Sequence, residues 1–259
     1  MALFTPEERA RVRDRLLALA EQDERVVAAA MTGSGAHARE DRWSDLDIAF
    51  ALDDSVELAA LADEWTRRMY DSMPVLHHFA VAFGPTFVRG FLLDTSLEVD
   101  LSFTHARRFY PFGPDFRLVF DRRGGVEAVS EPWPQLDRAN EAGLAWHDVL
   151  HALVAIRRGR FWRALYYVER LRTRTVELAC ARLGFDSSEL RQVDELPREV
   201  LGPLAGTLAR SLDPDELWRS TRTVTRSFLA ELRWSDPELA DRLEAPLLQL
   251  IDLYEADPG

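Results

Sequence analysis

Residues 45–52 read Asp45-Leu46-Asp47-Ile48-Ala49-Phe50-Ala51-Leu52. Side chains alternate faces along a strand, so Leu46, Ile48, Phe50 and Leu52 share one face while Asp45 and Asp47 share the other. Aspartate is depleted in strands, and two of them at i and i+2 require a reason. Residues 97–103, LEVDLSF, repeat the arrangement. Leu97, Val99, Leu101 and Phe103 form one face, and Glu98, Asp100 and Ser102 the other. If the two strands are neighbours, Asp45, Asp47 and Asp100 converge on one sheet face. Clustered carboxylates repel one another and hold their protons more tightly. A divalent cation removes the conflict. Oxygen donors with no His or Cys nearby favour Mg²⁺ over zinc.

Upstream, the apolar run 25–31 (RVVAAAM) reads as a buried strand that stops at Gly33-Ser34-Gly35. A small-residue turn after a strand lets backbone N–H groups approach a phosphate, and Ser34 adds a hydroxyl. Ten residues separate Ser34 from Asp45. A phosphate cradle, an Asp-x-Asp strand and a third Asp on a later strand are together suited to two-metal phosphoryl transfer.

The rest of the first half fits an α+β domain. Thr5-Pro6-Glu7-Glu8 is a capping box with Pro at the first helical position, and its helix runs to about Gln22. A second helix is expected over about 55–72. Residues 75–83, 86–93 and 97–103 are separated by Gly84-Pro85 and Asp94-Thr95-Ser96, which reads as an antiparallel meander. FRLVF at 116–120 is a further candidate strand. After Gly124-Gly125 and the turn-rich EPWP at 131–134, helical patterns take over. They run at about 136–158, 160–183, 197–211, 214–233 and 236–254, punctuated by Gly159, Gly184 and the prolines at 197, 214 and 237. The expected architecture is α+β. A mixed sheet flanked by helices occupies residues 1–130, an all-α bundle occupies 131–259, and the active site lies at their junction.

Composition narrows the function. The chain has 259 residues, 47% of them apolar and 29% charged, which is globular and rules out wholesale disorder. One cysteine, Cys180, excludes an intrachain disulfide and a Cys-cluster zinc site. No apolar run reaches the length of a membrane span, and the first residues have no apolar signal core. A cytoplasmic protein is expected. Forty-four acids against 32 bases give a net charge of −12, which disfavours nucleic acid as a partner and suits a cationic substrate or metal ions. All the bases are Arg, which excludes Schiff-base lysine chemistry and a P-loop.

The ordered set Gly33-Ser34, then Ser44-Asp45-Leu46-Asp47-Ile48, then Val99-Asp100-Leu101 resembles the nucleotidyltransferase superfamily of DNA polymerase beta. Within it, the likeness is to antibiotic nucleotidyltransferases of the aminoglycoside and lincosamide type. The motif resemblance covers roughly residues 25–105. It implies an enzyme that transfers a nucleoside monophosphate, AMP from ATP, to a hydroxyl of a small molecule and releases pyrophosphate. By resemblance, Gly33 and Ser34 hold the triphosphate. Asp45 and Asp47 bind metal, two Mg²⁺ ions in all, and Asp100 is a further ligand or the base. The alternatives are AMP transfer to a protein partner and a nucleotide-binding regulator without catalysis.

The second half adds weaker signals. Residues 157–174, RRGRFWRALYYVERLRTR, hold seven Arg and one acid, Glu169. Arg157 and Arg160 are candidates for triphosphate contact, because guanidinium forks suit phosphate oxygens; Arg163 reads as solvated. Trp162, Tyr166 and Tyr167 stand at helical spacing, which usually means core. His147 and His151 form an i, i+4 pair without a third ligand, so a core or solvated role is expected. Glu98, Asp148 and Glu169 are further candidates for general base. The loop 105–116, HARRFYPFGPDF, either shapes a cleft or is a rigid surface turn.

Overall fold

The structure is a computed structural model that describes residues 3–37, 40–111, 115–126, 137–187 and 190–256. The expected turn at 131–134 and the 130/131 boundary lie outside the described residues. The chain divides into two compact units, Met1–Trp133 and Pro134–Gly259. It is α+β: a mixed sheet with helices in the first unit and helices alone in the second.

Unit one begins with helix α1 (Pro6–Gln22). Thr5 closes its capping box: the Thr5 hydroxyl accepts from the Glu8 N–H, and Glu8 accepts from the Thr5 N–H at 2.8 Å. Strands β1 (Val26–Thr32) and β2 (Leu46–Leu52) follow, then helix α2 (Leu58–Ser72). Strands β3 (Val75–Phe83), β4 (Thr86–Leu93), β5 (Glu98–His105) and β6 (Phe116–Asp121) complete the unit. The sheet order is β3-β4-β5-β2-β1-β6. All pairs are antiparallel except β2 and β5, which run parallel. The expected meander is β3-β4-β5.

Alternation builds the core as the two sequence segments require. Leu46, Ile48, Phe50 and Leu52 from β2 and Val99, Leu101 and Phe103 from β5 are buried together with Leu16 and Ala20 of α1 and Leu61, Trp65 and Met69 of α2. The i, i+4 spacing of Leu61, Trp65 and Met69 gives α2 one apolar stripe. Trp65 packs on Phe50 at 4.8 Å between ring centroids. Burying a ring of this size stabilises the unit by roughly 1.5–3 kcal/mol. Both helices therefore cover one face of the sheet. On the other face Ala28, Ala30, Ala49 and Ala51 form a thin apolar layer with Phe109. The carboxylates stand on this second face, away from both helices.

Unit two holds α3 (Arg138–Arg157), α4 (Phe161–Leu183), α5 (Arg198–Gly206), α6 (Pro214–Ser235) and α7 (Pro237–Ala256). Val149, Leu153, Val168, Leu171, Val224, Phe228 and Ile251 are among its core residues. Gly159, at φ +63°, makes the tight turn from α3 to α4, and Gly184, at φ +79°, ends α4 in the left-handed conformation that glycine adopts without strain. The helical pattern expected over 197–211 stops at Gly206. Thr207 is pinned beyond it: Arg172 donates to its hydroxyl and carbonyl, and the Ser220 hydroxyl donates to the same carbonyl at 2.6 Å.

Candidate active site

The site grows from strand register. Asp47 of β2 is the register partner of Asp100 on the parallel strand β5. Asp100 is in turn opposite Gly90 of β4, and Gly90 is opposite Phe79 of β3. Four strands thus place Phe79, Gly90, Asp100 and Asp47 in one row on the face away from the helices. At the far end of the row lies Gly33. A Cβ built on Gly33 would stand 2.4 Å from Asp47 Oδ2, so the turn is pressed against that carboxylate. Gly33 also has φ +58°, a conformation costly for other residues.

Gly90 has the same kind of role at the other end. A Cβ there would fall 2.2 Å from the Phe79 ring and 2.9 Å from Asp100 Oδ1. Glycine therefore lets the ring and the carboxylate lie side by side. Gly90 was missed by sequence reading; an isolated glycine inside a strand pattern was the available signal.

The Gly33–His37 segment forms one short 3-10 turn directly after β1. Asp45 is exposed and stands just ahead of β2, on the Asp47 side of the alternation. Asp100 is half-buried, and its carboxyl is pushed up to about 6, first by burial and then by the charges of Glu98 and Asp45. Five buried side-chain polar atoms lack a hydrogen-bond partner among the described residues; Ser34 Oγ and Asp100 Oδ1 are two of them. Buried polar atoms are nearly always satisfied, so an orphan in a site of this kind marks a place for a ligand. Among the described residues no group of three or more His, Cys, Asp or Glu is gathered closely enough to hold a metal. Asp47 and Asp100 are paired in register, and Asp45 reaches Asp100 through its field.

Unit two contains the arginine candidates. Arg157 is the last residue of α3, and Arg160 is the N-cap of α4 with no side-chain cap bond. A cavity of about 270 Å³ at this turn is lined by Leu150, His151, Val154, Ala155, Arg158, Arg160 and Arg163. Arg163, expected to be solvated, is exposed but donates to the Tyr167 hydroxyl at 3.4 Å. The aromatic residues divide. Tyr167 is buried, stacked on His151 at 4.9 Å, whereas Trp162 is 76% and Tyr166 55% exposed, against the expectation of core. His151 is held below its ordinary value by burial, then by His147 and Arg163, consistent with a packed role. Asp148 is fully buried between Arg174, at 2.9 Å, and Arg170, at 3.4 Å. Glu169 pairs with Arg172. Both acids are thus engaged in ion pairs within unit two.

A row of carboxylates beside a Gly-Ser turn on a mixed sheet is the arrangement that the resemblance to nucleotidyltransferases implies. Residues 7–77 match the family model of streptomycin adenylyltransferase, so over that segment the chain is similar to antibiotic nucleotidyltransferases. No curated protein matches the chain. Among solved structures, a crystal structure of an aminoglycoside 6-adenyltransferase from Bacillus subtilis aligns at 12% identity and a TM-score of 0.42, over 95% of this chain and 97% of that one. No helix among the described residues is long and apolar enough to cross a membrane.

Proposed function

We propose that this protein transfers AMP from ATP to a hydroxyl of a small molecule and releases pyrophosphate. The observation that carries the reading is the register pairing of Asp47 with Asp100, with Gly33 pressed on Asp47 from the next turn. The acceptor oxygen attacks the α-phosphorus, the bond from that phosphorus to the β-phosphate oxygen breaks, and the hydroxyl proton passes to a carboxylate. Asp100 is the carboxylate of the row whose hold on a proton is already raised. Gly33 and Ser34 bind the triphosphate through backbone N–H groups and a hydroxyl that has no other partner. Arg157 and Arg160 supply further phosphate contacts, where a guanidinium acts bidentately.

In donor type Asp45, Asp47 and Asp100 suit Mg²⁺, being hard oxygen ligands, and Asp100 Oδ1 is buried and unpartnered; as they stand the three are not gathered closely enough to hold an ion, so a bound ion would have to draw them together. Bound there, Mg²⁺ would polarise the acceptor oxygen and neutralise the triphosphate, two ions being the number the family resemblance implies.

The acceptor class we favour is an aminoglycoside. The matched family is named for streptomycin, and a chain of net charge −12 attracts a polycationic acceptor. The reading places the work in the cytoplasm, where ATP and Mg²⁺ are at hand. The test is pyrophosphate release by the purified protein with ATP or GTP, Mg²⁺, and a panel of aminoglycosides, lincosamides and hydroxylated metabolites. Release that depends on one acceptor class supports the reading. Nucleotide binding without release from any acceptor would favour the non-catalytic regulator.

A further inference from the structure

Arg9 sits in α1 among Glu7, Glu8 and Arg11, where a helix surface usually faces water. It is nevertheless buried, at 4% exposure. Arginine is almost never buried without partners, because an uncompensated guanidinium is costly to desolvate. Among the described residues, the partners of its guanidinium lie on the segment that leads into the carboxylate strand. Its Nη1 donates to the Asp41 carbonyl at 2.7 Å and to the Ser44 carbonyl at 2.7 Å. Its Nε lies 3.4 Å from Glu40 Oε1.

That segment is internally tied as well. The Trp43 N–H donates to Asp41 Oδ1 at 2.8 Å, and the Asp41 N–H donates to Ser44 Oγ at 3.0 Å. Arg9 closes the turn from beneath. The Ser44 carbonyl belongs to the peptide plane that carries the Asp45 nitrogen, so fixing it fixes where Asp45 begins. Asp45 precedes the sheet ladder, which starts at Leu46, so ladder bonds do not hold it. Glu40 reaches the other half of the site: a Cβ on Gly35 would lie 3.4 Å from Glu40 Oε1. One guanidinium thereby links α1, the loop before Asp45 and the flank of the Gly33–His37 turn. The helix is a firm anchor, since Leu16 and Ala20 fasten it to the sheet core.

We propose that Arg9 is a positioning residue, which holds Asp45 and the phosphate turn in the relative placement that nucleotide binding and transfer require. The proposal rests on the nucleotidyl-transfer reading of that site. Arginine is needed because two carbonyls and a carboxylate are met at once by a planar fork, which a lysine ammonium cannot reproduce.

The experiment uses Arg9→Met, which keeps an apolar stem of similar reach, and Arg9→Lys, which keeps the charge. Amide hydrogen exchange of the ligand-free protein reads the loop directly. In Arg9→Met, amides of residues 41–45 are expected to exchange on the order of tenfold faster, as loss of bonds to a charged donor implies, while those of residues 48–52 stay unchanged. Affinity for a non-hydrolysable ATP analogue with Mg²⁺ should fall by a similar factor. Turnover should fall by on the order of a hundredfold, the scale of a misplaced reacting group, and Arg9→Lys should recover part of it. A loosened loop with unaltered analogue affinity and turnover overturns the proposal, and so does faster exchange spread over all of β2 with a matching loss of melting temperature. If the wild-type protein releases no pyrophosphate from any acceptor and binds no analogue, the transfer reading fails; the exchange result then still decides whether Arg9 holds the loop.

Discussion

Asp47 and Asp100 are register partners on parallel strands, although 52 intervening residues carry a helix and two further strands between them. This pairing puts two like charges side by side on one face of a sheet. The replacement Asp47→Asn keeps the shape and removes one ligand charge. Pyrophosphate release is expected to vanish while circular dichroism and the melting temperature stay at or above wild type. Undiminished release would remove the Asp-x-Asp strand from the chemistry.

The raised carboxyl of Asp100 makes a pH prediction for the metal-free protein. Its value of about 6 in the folded state exceeds the ordinary 3.8, so between these two values the folded state binds more protons than the unfolded one. Stability therefore falls as pH rises from about 4 to about 6, and the loss persists above. Asp100→Asn removes this penalty. At pH 7 it should stabilise the metal-free protein by at most about 3 kcal/mol, from 1.36 kcal/mol per pKa unit, and the gain should vanish below pH 4. Denaturant unfolding at both pH values measures it. A variant equally stabilised at both would place the effect elsewhere.

Gly33→Ala meets two obstacles at once, a left-handed φ and the Asp47 carboxylate at 2.4 Å. The backbone cost alone is about 1–2 kcal/mol. The variant should melt several degrees lower and lose nucleotide affinity. By contrast Gly184→Ala, with open space around the site, should lower stability without touching nucleotide binding.

Arg160→Ala and Arg157→Ala should weaken nucleotide binding. One lost hydrogen bond to a charged group is worth about 1.5–3 kcal/mol, or roughly 10- to 150-fold in affinity. Arg160 is exposed, so replacing it should change the unfolding free energy by no more than about 0.5 kcal/mol. Calorimetric titration of nucleotide checks both variants; unaltered affinity in each would leave the triphosphate to Gly33, Ser34 and metal.

Asp148→Ala should unfold rather than merely slow the protein. The carboxylate is fully buried and holds Arg174 and Arg170. Removing one partner of a buried pair strands the other charge, at a cost of about 3–5 kcal/mol. A well-folded Asp148→Ala variant with lost turnover would instead favour Asp148 as the general base.

Much of this was legible in the chain itself, because alternation and capping are local. Leu46, Ile48 and Phe50 against Asp45 and Asp47 announce a strand with one buried and one polar face, whatever surrounds it. Thr5-Pro6-Glu7-Glu8 announces a helix start. Gly33-Ser34 announces a turn, since glycine is the residue that takes φ +58° cheaply. The expected helices and strands accordingly match the observed ones to within a few residues, apart from the early end of α5.

Which strand lies beside which was decided only by the tertiary structure. The parallel pairing of β2 with β5 is a contact between distant segments, and no local pattern encodes the Asp47–Asp100 register or the row that continues through Gly90 to Phe79. The same holds for charge. Arg9 and Arg160 are alike in sequence, each an arginine in a helical, charged segment, yet one is buried and clasps two carbonyls while the other is exposed. Desolvation depends on what the rest of the chain packs against a residue, and that is a property of the fold and not of its neighbours in sequence.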